Sequence, residues 1–202
     1  MLLAIDTSAG TAVALVADDG RVIAERSTGD TRRHAEVIGP FLAEVLASEG
    51  DEHITAVVAG MGPGPYTGLR VGIAAARMVA LARGIPLHAV PSHDAVALSL
   101  VESGTAAGRF CVVTDARRRE VAVTVYSAAL PLPTTLVDAH LVARIDWTPD
   151  EGVVSYEVAE IPAASLAHAA LARLSVGDVP LTPQPLYLRA PDVTLSSPKR
   201  VS

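Results

Sequence analysis

Two aspartates stand where a phosphate could be handled. Asp6 closes the apolar run Leu2-Leu3-Ala4-Ile5 and is followed by Ser8 and Thr11. Asp115 closes a second run, Phe110-Cys111-Val112-Val113-Thr114, and is followed by Arg117. Two carboxylates can hold a metal-bound phosphate, with hydroxyls and a guanidinium donating to its oxygens. Each aspartate alone is a weak signal. Arg117-Arg118-Arg119 also fits a hydrated hairpin tip, the usual fate of a charge run.

The most specific segment is Gly60-Met61-Gly62-Pro63-Gly64-Pro65-Tyr66-Thr67-Gly68-Leu69-Arg70-Val71-Gly72. It follows an apolar run and opens a helix, a place where anions often bind. No Lys follows its last glycine, so it is not a P-loop, and its spacing misses G-x-G-x-x-G at Pro65 or Thr67. A turn whose Thr67 hydroxyl caps the helix explains it without a ligand. None of the six histidines has the i, i+4 partner that two imidazoles need to share a metal on one helical face, and His34 meets Ile38 there. No metal site and no catalytic residue is expected. His88 and His93, on either side of Pro91, read as loop residues. The one cysteine, Cys111, reads as a buried, inert thiol in an apolar run.

The 202 residues carry 16 Lys+Arg against 22 Asp+Glu, a net charge of −6, with 50% hydrophobic and 3% aromatic side chains. That apolar fraction excludes a disordered chain. The acidic balance and scarce aromatics argue against gripping nucleic acid by a global field or by stacked bases. The apolar stretch from Val71 to Val90 is interrupted by Arg77, Arg83 and Pro86, so no membrane span is expected. With no basic leader before Asp6, the expected location is the cytoplasm.

The elements follow from periodicity and punctuation. Leu2–Asp6, Thr11–Ala17 and a strand beginning near Arg21 predict an antiparallel meander within residues 2–28. A helix is expected over 35–48, with Gly39-Pro40 as a kink or a later start. Strand 54–59, helix 67–83 ended by Gly84, strand 85–90 and helix 94–103 complete a first unit, residues 1–103. Gly104-Thr105-Ala106-Ala107-Gly108 links it to a second, residues 104–202, with strands 109–114 and 121–127 and one helix near 163–174. Beyond Ser127 prolines erase the pattern, and the tail from Leu195 is expected to fray. The result is an α/β chain of mixed sheets flanked by helices.

Two helices look too apolar for a solitary domain. Over 68–83 only Arg70, Arg77 and Arg83 are polar, and Gly68, Gly72, Ala76 and Ala80 form a ridge of small residues. Small residues four apart allow a second helix to approach closely. Val37, Ile38, Phe41, Leu42, Val45 and Leu46 sweep more of the preceding helix than one core stripe requires. A partner-binding face is therefore expected at Val37, Ile38, Phe41, Val45, Leu69, Gly72, Ile73 and Ala76.

Ile5-Asp6-Thr7-Ser8, His34-Ala35-Glu36, the segment Gly62 to Gly72, Asp115 to Glu120 and Pro185-Leu186-Tyr187-Leu188-Arg189 together resemble the bacterial TsaB family. The match is firm over residues 1–126 and patchy afterwards. The resemblance implies an actin-like (ASKHA) two-lobed fold with a short second lobe. It implies a dimerisation subunit that binds the catalytic paralogue TsaD through a helical bundle and forms homodimers when alone. TsaD transfers threonylcarbamoyl to N6 of the adenosine beside the tRNA anticodon, the small ATPase TsaE joins the pair, and the tRNA is held mainly by the partner. This chain departs from the family where Pro65-Tyr66 replaces the usual Ser-Phe, which removes a backbone N–H and a hydroxyl and weakens phosphate binding there. No cofactor is expected, beyond ATP or ADP held weakly or at the subunit boundary. The alternative is a stand-alone actin-like ATPase or small-molecule kinase, with Asp6, Ser8, Thr11, Asp115 and Arg117 at the phosphate.

Overall fold

The computed structural model describes residues 1–50, 52–178 and 184–189; the tail from Leu195 lies outside the described residues. Strands β1 (Leu2–Asp6), β2 (Thr11–Val16) and β3 (Val22–Thr28) form the meander, followed by α1 (His34–Leu46), β4 (Ala56–Gly60), α2 (Tyr66–Arg83), β5 (Leu87–Val90) and α3 (Ser92–Glu102). The first sheet runs β3-β2-β1-β4-β5, with β1 antiparallel to β2 and parallel to β4. Its central strands are buried on both faces, and the period of two sorts their side chains into two cores. Leu3, Ile5, Val13 and Leu15 face α1 and α2. Leu2, Ala4, Ala12 and Ala14 face the other way, onto alanines of α4 (Ala163–Ser175). Small side chains on both partners let α4 sit close to the sheet.

The second sheet, β8-β7-β6-β9, comprises β6 (Arg109–Asp115), β7 (Glu120–Ser127), β8 (Thr134–Ala143) and β9 (Val154–Glu157). One face packs Phe110, Val112 and Tyr126 on Val96 and Ala97 of α3; the other buries Cys111, Val113 and Val123 beside Trp147. The strands expected from sequence ended at β7, while the helix expected near 163–174 is α4. Sequence reading missed β8 because Leu136 and Val137 lie on an exposed edge strand with no apolar alternation, and β9 because it is four residues long among turns. α4 comes from the chain's second half yet covers the first sheet.

Pro40 lies inside an unbroken α1, on its exposed side, where the lost N–H leaves no buried orphan. His88 and His93 are not in loops: His88 lies in β5, and His93 in α3 is 1% exposed. The helix begins at Ser92, directly after Pro91, earlier than the apolar pattern indicated.

Candidate functional site

The β1–β2 hairpin and the glycine segment form one interlocked structure. Asp6 is 2% exposed. Its Oδ1 accepts from the Ser8 amide at 2.8 Å and the Ser8 hydroxyl at 2.5 Å, and its Oδ2 from the Ser92 hydroxyl at 2.6 Å. Burial raises its pKa, with the hydrogen bonds from Ser8 and Ser92 opposing. The glycines leave room for this hairpin. A Cβ on Gly60 would lie 1.9 Å from Asp6 Oδ2, one on Gly64 2.8 Å from the Ser8 backbone, one on Gly68 2.8 Å from the Thr7 carbonyl, and one on Gly72 2.3 Å from Thr7 Oγ1. The four-residue glycine rhythm therefore seats a hairpin of the same chain. Thr67 does not cap α2: the cap position is Pro65, and no side chain hydrogen-bonds to it.

Thr11 and His34 continue the buried polar layer. Thr11 Oγ1 and His34 Nδ1 are 2.8 Å apart, and burial, followed by the Arg117 charge, holds His34 below the usual histidine range. Asp115 is exposed and pairs with Arg144 at 3.5 Å. Arg117 reaches back to the carbonyl and hydroxyl of Thr31. Asp6, Ser8 and Thr11 are thus brought together, but sealed beneath the surface, while Asp115 turns outward. Among the described residues no group of three or more His, Cys, Asp or Glu is placed to hold a metal. Cys111 is buried, and burial pushes its thiol up, away from the reactive thiolate.

The expected partner face needs correction. Ile38, Val45, Leu69, Gly72, Ile73 and Ala76 are buried in the first lobe's own core, Leu69 and Ala76 at 0% exposure. The ridge of small residues approaches Thr7 and His34, not a second helix from outside. Only Val37 and Phe41 of the expected set retain accessible surface. The exposed apolar side chains of α2 include Met78, 63% exposed, and Leu81, 77% exposed, with Ala74 and Ala82 also at the surface. Sequence reading missed them because the small-residue ridge drew the interface onto the opposite side of the helix. Their i, i+3 spacing was the available signal.

A cleft of about 390 Å³ lies between the start of α2 and the β6–β7 turn, lined by Tyr66, Thr67, Arg117, Arg118, Tyr187 and Arg189 among others. Residues 184–189 cross it as a strap. The Leu186 amide bonds to the Met61 carbonyl at 2.8 Å, the Tyr187 ring packs on Tyr66 at 4.7 Å, and Arg189 pairs with Glu120.

A family profile described as TsaD, tRNA N6-adenosine threonylcarbamoyltransferase, matches residues 21–140. The chain is 38% identical over 204 residues to an uncharacterized protein of Mycobacterium tuberculosis, an alignment spanning 95% of this chain and 92% of that one. It is 32% identical over 149 residues to the tRNA threonylcarbamoyladenosine biosynthesis protein TsaB of Bacillus subtilis, spanning 72% of this chain and 63% of that one. The chain belongs to the TsaB family. YeaZ from Pseudomonas aeruginosa superposes with a TM-score of 0.76, covering 93% of this chain and 99% of that one, at 23% identity, a likeness of fold. The fold is the actin-like, two-lobed α/β fold.

The TsaB resemblance rested on segments that meet in space. Asp6-Thr7-Ser8 and Gly62 to Gly72 are one interlock, His34 lies beneath Gly68, and Asp115 to Glu120 and Pro185 to Arg189 border one cleft. Ser92, which bonds Asp6, was missed: a serine after proline at a helix start carries no signal of a long-range carboxylate partner.

Proposed function

We propose that this chain is the non-catalytic dimerisation subunit of a cytoplasmic tRNA threonylcarbamoyladenosine complex. It binds a TsaD-type catalytic paralogue through α1 and α2, pairs with itself when alone, and leaves most of the tRNA contact to the partner, with a TsaE-type ATPase joining the assembly. Residues 1–103 are the lobe that pairs and 104–202 the shortened second lobe and tail, with α4 serving the first sheet. The observation that carries this reading is the pair Met78 and Leu81, large apolar side chains at 63% and 77% exposure on the same helix as buried Gly72 and Ala76. A monomer gains nothing from them in water, whereas a helix packed over them removes their apolar area. The kinase alternative needs Asp6 open to a metal-bound phosphate. Its oxygens accept from Ser8 and Ser92 instead, which favours the adaptor reading.

The test is co-purification of the TsaD-type paralogue with wild-type chain and with Met78→Glu/Leu81→Glu, alongside tRNA modification assays with and without the chain. The double variant is expected to lose the partner while keeping its melting temperature. Retention of the partner at wild-type level overturns the reading.

A further inference from the structure

The turn between β6 and β7 is strained. Among the described residues, the non-glycine residues with positive φ are Arg117, Arg118 and Arg119, at 66°, 54° and 62°. They follow one another in a single turn. A residue with a Cβ rarely enters the left-handed region, and three in succession add their costs. Such a conformation persists only where the surrounding structure over-determines it. Inside the hairpin, the Ala116 amide donates to the Glu120 carbonyl and the Glu120 amide to the Arg117 carbonyl, each at 3.0 Å. Just past β8, the Arg144 amide donates to the Arg119 carbonyl at 2.7 Å. The Glu120 side chain is paired with Arg189.

A further hold comes from the other lobe. The Arg117 guanidinium donates to the Thr31 carbonyl at 3.3 Å and to the Thr31 hydroxyl. Thr31 lies in the loop that leads into α1, three residues before His34, the first residue of that helix. His34 in turn is fixed to β2 by Thr11 and lies beneath α2, with its Nε2 3.0 Å from where a Cβ on Gly68 would stand. The Arg117 charge reaches His34 as well. One side chain of the second lobe thus grips the segment from which α1 starts, next to a residue that sits under α2. The grip ends on a helix whose first amides, Glu36 and Val37, both donate to the Arg33 carbonyl at 3.0 Å.

We propose that the β6–β7 turn is a two-state latch on α1. In the engaged form, all three arginines are left-handed and Arg117 holds the loop before the helix. When Arg117 leaves Thr31, the turn relaxes to negative φ and the first turn of α1 loosens. Backbone strain favours release and the Arg117 contacts favour engagement, so a modest change at the turn shifts the balance between the two forms. Because α1 is one of the two helices offered to a partner, the second lobe then governs how firmly that face is held. This last consequence rests on the partner reading above; the latch itself does not.

The test is native-state amide hydrogen exchange by two-dimensional NMR on the full chain, comparing wild type with Arg119→Gly, Arg119→Val and Arg117→Ala. The two Arg119 variants lose the same side chain and differ in how well the backbone tolerates a positive φ. At Glu36 and Val37, exchange is expected to be about threefold or more slower in Arg119→Gly and about threefold or more faster in Arg119→Val. Arg117→Ala is expected to speed the same amides, and to abolish the effect of Arg119→Gly when the two are combined. Amides of β1 report global opening, and melting temperature monitors the fold of each variant. Should Arg119→Val fail to fold, Arg119→Gly with and without Arg117→Ala decides. Unchanged exchange at Glu36 and Val37 in Arg119→Gly overturns the proposal. So does an effect of Arg119→Gly confined to Ala116 and Glu120, or one that survives Arg117→Ala. These measurements need no partner, so partner capture by Met78→Glu/Leu81→Glu tests the adaptor reading separately.

Discussion

The Gly72 amide donates to the hydroxyl of Thr7 at 3.1 Å, and the same hydroxyl donates to the Gly68 carbonyl at 2.8 Å. In a regular helix those two groups of α2 would face each other directly, so a β1–β2 side chain is wedged into the helical ladder. Both helix glycines are needed, since a Cβ at Gly72 would sit 2.3 Å from Thr7 Oγ1. Thr7→Val keeps the shape and puts a methyl where the hydroxyl bridged two buried polar groups. It is expected to cost about 1–3 kcal/mol in denaturant unfolding, with Thr7→Ser much milder. Equal stability of Thr7→Val and wild type would show that the wedge contributes nothing.

His93 is a buried, neutral bridge between Thr124 Oγ1 at 2.8 Å and Thr114 Oγ1 at 2.9 Å, and burial pushes its pKa down to about 3. It joins α3 to the second sheet. Unfolded, the imidazole titrates near 6.5. Between about 3 and 6.5 the unfolded imidazole therefore holds more proton than the folded one, and the His93 contribution to stability rises with pH across that window. His34, also lowered, acts in the same direction. Asp6 and Asp94, both raised by burial, act in the opposite one, losing stability as pH rises past the ordinary carboxylate range. Urea unfolding at pH 5 and pH 7.5 is expected to show a less stable protein at pH 5. His93→Gln, which can still bridge two hydroxyls, should remove most of the difference; an unchanged difference would place the slope elsewhere.

Most of the first lobe could be read from sequence because its strands are doubly buried, apolar and punctuated by Asp18-Asp19-Gly20 and Gly84. Its site was harder. Small residues at four-residue spacing look the same whether they admit a foreign helix or a hairpin of the same chain, and Thr7 differs from Gly72 by 65 positions. The same ambiguity applied to Asp6, whose partner Ser92 lies 86 residues away. The cleft was legible only through family resemblance in Tyr187 and Arg189, because its walls come from α2, the β6–β7 turn and residues near the chain's end.

Ser92 holds two elements at once. Its hydroxyl donates to Asp6 Oδ2 and accepts from the Gly62 amide at 3.0 Å, tying α3 to β1 and to the glycine turn. Ser92→Ala leaves a buried carboxylate oxygen and a buried amide without that partner. The expected loss is about 1–3 kcal/mol by denaturant unfolding. Recovery of most of this loss in Asp6→Asn/Ser92→Ala would identify the stranded charge as the larger part of the cost.

Leu69 and Leu81 lie on one helix and should respond oppositely to substitution. Leu69 is fully buried against the first sheet, so Leu69→Ala opens a cavity and is expected to cost about 2–5 kcal/mol. Leu81 is 77% exposed, so Leu81→Ala should change monomer stability by less than about 0.5 kcal/mol. Its effect is expected in association instead: sedimentation over a concentration series should show wild-type chain self-associating, and Leu81→Ala doing so more weakly. A Leu81→Ala chain that sediments like wild type, at equal stability, would remove this side of α2 from any interface of the chain with itself.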